Sequence, residues 1–178
     1  MEQLSIFDGG GQTPKLPADL MDYRPNFFTR EESDNLMQKL KATIQWKQET
    51  IQMYGKLLNT PRLTAWYGDN SKTYAFSGKK YDPYPWTPEL LYIKQRVDEA
   101  AGITFNSVLL NDYRNGNDSV AWHADDEPEL GLNPVIASVS FGQIRRFDVR
   151  NKQDHKLKYS VELENGSLLI MKGDLQHN

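Results

Sequence analysis

The sequence predicts an α+β domain that is mainly β, a double-stranded β-helix (jelly roll) with helices flanking it on the N-terminal side. Three observations carry this. Helices with clear starts and stops occur only before Ile103, period-two alternation sets in from Thr104, and the strands that follow have no helix between them. A length of 178 residues, 38% hydrophobic and 25% charged, suits one such domain.

Residues 1–17 hold Gly9-Gly10-Gly11, two prolines and little apolar content, so they read as a flexible leader, with residues 18–178 as the single domain. Within the leader, Gln3-Leu4-Ser5-Ile6-Phe7 resembles the short peptide by which bacterial replication and repair proteins dock on the sliding clamp. Thr29 and Glu32 have capping-box spacing, and Leu36, Met37, Leu40 and Ile44 recur at helical intervals, predicting a helix over about 30–43. Thr87-Pro88 is an N-cap with a first-turn proline, and Leu90, Leu91, Val97 and Ala100 carry a second helix to Gly102. Strands are predicted at Val108–Tyr113, Val120–Asp125, Ile136–Phe141 and Arg146–Arg150. Leu157, Tyr159, Val161 and Leu163 alternate with polar residues, and Asn165-Gly166 reads as a tight hairpin turn into Ser167–Met171.

Composition excludes several kinds of chemistry. With no cysteine there are no disulfides, thiolate metal sites or cysteine nucleophiles, so a metal site must use His, Asp or Glu. No apolar run is long enough for a membrane helix and the N-terminus is unlike a signal peptide, so a cytosolic location is expected; a monomer is expected as well. Twenty-one Lys and Arg against 24 Asp and Glu give a formal charge of −3, so any contact with nucleic acid must be local. Lys56, Arg62, Lys72, Lys79 and Lys80 interleave with Tyr54, Trp66, Tyr67, Tyr74, Phe76, Tyr81 and Tyr84, a mixture suited to phosphates and unstacked bases. By composition alone the same stretch reads more simply as a strand-rich surface.

His123-Ala124-Asp125 places an imidazole and a carboxylate two residues apart, on one face of the predicted strand. Such a pair suits two positions of a 2-His-1-carboxylate facial triad, although a His beside a carboxylate is also a common structural arrangement. Arg145 alternates with Phe147 and Val149 and should point inward, where a guanidinium requires a buried carboxylate. Asp126 and Glu127 are the candidates.

Asn111-Asp112-Tyr113-Arg114-Asn115-Gly116, His123-Ala124-Asp125-Asp126-Glu127, Ile136-Ala137-Ser138-Val139-Ser140-Phe141-Gly142 and Arg145, in that order, resemble the AlkB family of Fe(II)/2-oxoglutarate-dependent dioxygenases. Pro61-Arg62, Trp66-Tyr67-Gly68-Asp69 and Tyr74-Ala75-Phe76-Ser77-Gly78 are similar to its branch that repairs alkylated bases. The resemblance implies His123 and Asp125 as iron ligands and Asn111 and Tyr113 as partners of 2-oxoglutarate. It implies Tyr74 and Phe76 around the damaged base, Glu127 at its edge, Asp126 paired with Arg145, and Tyr54 as a wedge in the duplex with Arg62 nearby. Trp66 and Tyr67 read equally well as core. The implied reaction is oxidative removal of N-methyl groups from bases such as 1-methyladenine and 3-methylcytosine in DNA, yielding succinate, CO2 and formaldehyde. Reaching a ring nitrogen inside a duplex requires base flipping.

The sequence departs from the family in its last segment. His155 sits in a polar turn. His177 could act as third ligand only if the terminal segment folded back onto the sheet, which is not expected. No Arg follows Arg150 to grip the far carboxylate of 2-oxoglutarate. The sequence therefore reads as lacking the C-terminal end of the domain, with Ser167–Met171 left as an exposed apolar edge and iron held poorly. An RNA demethylase and a non-catalytic binder of damaged nucleic acid are the alternatives.

Overall fold

The computed structural model describes residues 16–53, 55–69, 74–76, 79–125 and 130–177, with the backbone alone at 53, 74–76 and 79–81. The elements run β1 (Met21–Arg24), α1 (Arg30–Thr43), β2 (Lys47–Met53), β3 (Lys56–Gly68), β4 (Tyr74–Phe76), β5 (Lys79–Tyr81), α2 (Pro88–Ala101), β6 (Ser107–Asp112), β7 (Ile136–Ser140), β8 (Arg145–Arg150), β9 (Lys158–Leu163) and β10 (Ser167–Met171). The fold is mainly β, with antiparallel sheets and two helices, as the sequence predicts. None of the described helices is long and apolar enough to cross a membrane.

Both helices form where their punctuation places them. Thr29 and Glu32 close a reciprocal capping box on α1, the Thr29 side chain accepting from the Glu32 N–H at 3.2 Å and Glu32 accepting from the Thr29 N–H at 2.8 Å. Thr87 caps α2, Pro88 occupies its first turn, and Gly102 at φ 69° ends it in the left-handed conformation. Leu40 and Ile44 meet Ala65 and Tyr67 of β3 and Leu90 of α2, so the helices cover one face of the sheet β2-β3-β6.

A second sheet has the order β1-β10-β7, and the pair β8-β9 lies against it. Met21, Leu169 and Met171 meet Val161, Phe147, Val149 and Tyr159 between these two layers, while Leu168 and Ile170 point the other way onto Val97 of α2. Leu168 and Leu169 are wholly buried, worth about 2 kcal/mol each by area removed from water.

Four strand expectations are corrected. Residues 157–171 do not form a hairpin: β9 pairs with β8, and β10 pairs with β7 and β1. Asn165-Gly166 is instead a corner between layers, because its polar groups are claimed by other partners. The Gly166 N–H donates to the Ser140 carbonyl, its carbonyl accepts from the Phe28 N–H, and Asn165 bonds both the Gly142 N–H and Asp34. Ser167–Met171 is therefore no exposed edge; it is the central strand of its sheet and buried throughout. Residues 120–125 form no strand either, their neighbourhood being held by side-chain tethers in place of a ladder. Alternation does not begin at Thr104, since β1 to β5 precede α2. Leu16, assigned to the leader, already packs against the core.

Candidate active site

β3 and β6 pair in antiparallel register, with Thr64 opposite Asn111 and Trp66 opposite Leu109. Alternation sends Ala65, Tyr67, Val108 and Leu110 to the helix-covered core, so Trp66 and Asn111 belong to the opposite face. Tyr67 is thus a core residue, 3% exposed, and its hydroxyl accepts from the Gln45 N–H at 3.0 Å. Tyr84 packs on it with ring centroids 5.4 Å apart, so part of the aromatic set of this region is structural.

Arg62 organises the outer face of the sheet. Its Nε–H donates to Asn111 Oδ1 at 2.8 Å and its Nη1–H to the Ser119 carbonyl at 3.3 Å. The first bond uses the amide oxygen of Asn111 and leaves its amide N–H groups available as donors. The guanidinium of Arg145 lies 4.2 Å from the ring centroid of Tyr113 and donates to the Asp118 carbonyl at 2.7 Å. Burial pushes the Tyr113 hydroxyl above its usual pKa, partly offset by Arg62 and Arg145, so the phenol stays protonated and able to donate at neutral pH.

Arg145 therefore points inward only in part, and its contacts among the described residues are carbonyls and an aromatic face. Asp118 is the buried carboxylate near it, 5% exposed, and its own side chain is taken by Arg114. Side-chain and backbone hydrogen bonds from Arg114 hold Asp118 below the usual carboxylate range. Asp126 and Glu127, the partners expected for Arg145, and the wedge residue Tyr54 lie outside the described residues, as does Gln3–Phe7. Tyr74 and Phe76 are described by backbone only, in the β4-β5 pair opposite Tyr81 and Lys79.

Although the segment carrying them is not a strand, His123 and Asp125 still converge, with Nε2 3.5 Å from Oδ1. His123 Nδ1 lies 2.8 Å from the Ala121 carbonyl, which can only accept, so Nδ1 carries the hydrogen. Nε2 is then left as the ring's acceptor nitrogen on the side of Asp125. One imidazole nitrogen and one carboxylate fit two positions of a ferrous facial triad. Among the described residues no third His, Asp or Glu completes a metal cluster with them. His155 is exposed in its turn. The terminal segment does fold back, contrary to expectation: Gln176 Oε1 accepts from the Asp125 N–H at 3.0 Å, while neighbouring His177 is exposed.

The model of the 2OG-Fe(II) oxygenase superfamily matches residues 21–178. The chain belongs to this superfamily. Within it the chain is similar to alpha-ketoglutarate-dependent dioxygenase alkB homolog 3 of Bos taurus and of Homo sapiens, each 41% identical over 160 residues. It is also 40% identical over 154 residues to DNA oxidative demethylase ALKBH2 of Bos taurus. These alignments cover 85%, 85% and 81% of the chain, and the chain spans only 56%, 56% and 55% of the respective relatives. The resemblance to AlkB-family dioxygenases read from the motifs is thereby shown, and with it the family's use of Fe(II) and 2-oxoglutarate.

The tethers of the His123 segment are what sequence reasoning missed. Asp118 and Gln176 carried no signal beyond turn composition and a position near the end of the chain, and Arg114 was visible only as part of the motif at 111–116. Arg150 was visible as a strand residue, but not its stacking 4.1 Å over the Trp122 ring, beside His123.

Proposed function

We propose that this chain is the catalytic part of an Fe(II)/2-oxoglutarate-dependent demethylase that repairs N-alkylated DNA bases such as 1-methyladenine and 3-methylcytosine. The observation that carries the reading is the His123 Nε2 and Asp125 Oδ1 pair, whose segment Arg62 and Arg145 fasten to Asn111 and Tyr113. His123 and Asp125 would hold the iron, with a further ligand from outside the described residues, and Asn111 and Tyr113 would donate hydrogen bonds to 2-oxoglutarate. When bound, iron and 2-oxoglutarate supply the oxidation of the N-methyl group, with succinate, CO2 and formaldehyde as products.

The chain's own residues then bind and orient. The Nδ1–H bond to Ala121 fixes the imidazole tautomer, and Arg62, by taking the Asn111 amide oxygen, leaves its N–H groups free to donate to a co-substrate. Arg145 stacks on Tyr113, and the protonated phenol donates. Tyr74, Phe76, Glu127 and Tyr54 keep the roles the family resemblance gives them, enclosing the flipped base, meeting its edge and filling the gap it leaves. Arg62 lies at the co-substrate end of β3, so its contribution to substrate binding acts through Asn111. Gln3–Phe7 would dock on a sliding clamp, and the protein would act as a cytosolic monomer.

Mass spectrometry of methylated DNA and RNA oligonucleotides incubated with the full chain, Fe(II), 2-oxoglutarate and oxygen tests this reading. The methyl group should be lost from DNA only with every component present. Preferential loss from RNA would move the substrate class, and lesion binding without turnover would leave a damage-binding protein.

A further inference from the structure

Between β6, which bears Asn111 and ends just before Tyr113, and the segment that bears His123 and Asp125, the chain turns through residues 114–118 and then runs outside any ladder. At that junction stands Asp118, 5% exposed although it sits in a polar turn. Both its carboxylate oxygens are used: Oδ2 accepts from the Arg114 N–H at 2.9 Å and from Nε at 2.8 Å, and Oδ1 accepts from Nη2 at 3.0 Å. Its carbonyl accepts from Arg145, which stacks on Tyr113. The next residue, Ser119, donates its N–H to the Pro61 carbonyl at 2.9 Å and accepts from Arg62, which also holds Asn111. Arg114 reaches on to Gln48 Oε1 of β2 at 3.1 Å.

A tight turn needs no buried carboxylate, and burying one costs desolvation unless its partners are fixed. Here the charge has a use, since three guanidinium groups gather around two consecutive residues; Arg62 and Arg145 also grip Asn111 and Tyr113, and Arg114 ties the turn to β2. We propose, resting on the dioxygenase reading of the site, that Asp118 is a positioning residue: its carboxylate locks the turn that fastens the His123–Asp125 segment to Asn111 and Tyr113, and so sets metal and co-substrate affinity together. Asp118→Asn preserves shape but removes the negative charge amid Arg114, Arg145 and Arg62, and its amide nitrogen cannot accept from Arg114. The segment then loses its upstream anchor while keeping the downstream one at Gln176.

The test compares the full chain with Asp118→Asn and Arg114→Gln, which break the same contacts from opposite sides. Asp112→Asn serves as control, altering a carboxylate on the other face of β6 that pairs with Lys41 at 3.7 Å. The readouts are Mn(II) affinity by titration, KM for 2-oxoglutarate against kcat, and amide hydrogen exchange of residues 119–125. Both variants should weaken Mn(II) binding and raise the KM together by about tenfold, as loss of an outer-shell partner does, with kcat at saturation largely kept. Exchange should quicken at 119–125 and not in α1 or β10. Affinity, KM and exchange all unchanged in both variants would overturn the proposal, and so would a uniform rise in exchange with kcat falling alone. If the unaltered chain neither bound Mn(II) nor turned over, the dioxygenase reading would fail. Faster exchange confined to 119–125 would then still support the fastening role, and unchanged exchange would overturn that too.

Discussion

At Tyr113, burial and two guanidinium groups act in opposite directions on one phenol, and burial prevails. The hydroxyl therefore remains a donor at physiological pH, which a carboxylate-bearing co-substrate can use. Tyr113→Phe should raise the KM for 2-oxoglutarate about tenfold, the size of a lost hydrogen bond to a charged group, with little change in kcat. Initial rates over a range of 2-oxoglutarate check it; an unchanged KM would remove Tyr113 from the site. The order and spacing that carry the family pattern through these residues were legible in the sequence. The contacts of these residues were not. Among the described residues Arg145 meets oriented carbonyls and an aromatic face, while its expected partners Asp126 and Glu127 lie outside them, and where a turn aims its carbonyls cannot be read from residue types.

Among the elements, the helices follow the sequence because their signals are local. The α1 capping box is complete, so Thr29→Ala should cost about 1 kcal/mol and lower the melting temperature by a few degrees in calorimetry. Strand pairing is different, since alternation shows which residues face the core but not which strand lies alongside. Asn165-Gly166 has the composition of a hairpin turn, and only the distant partners Phe28, Ser140 and Asp34 make it a corner. Gly166 takes φ +76°, and a Cβ there would strike the Ser33 hydroxyl and the Phe28 carbonyl. Gly166→Ala should therefore destabilise by more than about 1 kcal/mol, read as a lower urea midpoint at unchanged m. Loss of the ladder at 120–125 has the same origin: His-x-Asp fits strand alternation, but Arg62, Arg145 and Gln176 hold this stretch and its approach individually.

For the molecule as a whole, paired carboxylates set the response to acid. Backbone and side-chain hydrogen bonds from Thr29 and Tyr92 hold Glu32 at about 2. Burial pushes Asp148 up, but bonds from Lys158, Ser160 and Arg146 outweigh it and leave it at about 2 as well. Asp118 is lowered too. Folded values lie below the unfolded values near about 4, so their stabilisation is present above that range and is lost as pH falls toward 2. Melting temperature should be nearly flat from pH 7 to about 5 and then decline, and Glu32→Gln should lessen the decline. Layering was legible at this scale from the strand-rich C-terminal half. The strands before α2 were not, because β2 and β3 carry polar residues on both faces over much of their length.

Titration of Mn(II) into the full chain and into its His123→Ala and Asp125→Ala forms measures most directly whether these two residues hold a metal. The unaltered chain should bind Mn(II), weakly with two of its described residues as ligands, and each substitution should weaken binding by at least about tenfold while circular dichroism and melting stay as before. Equal affinity in all three proteins would place the metal elsewhere and contradict the site described for this chain.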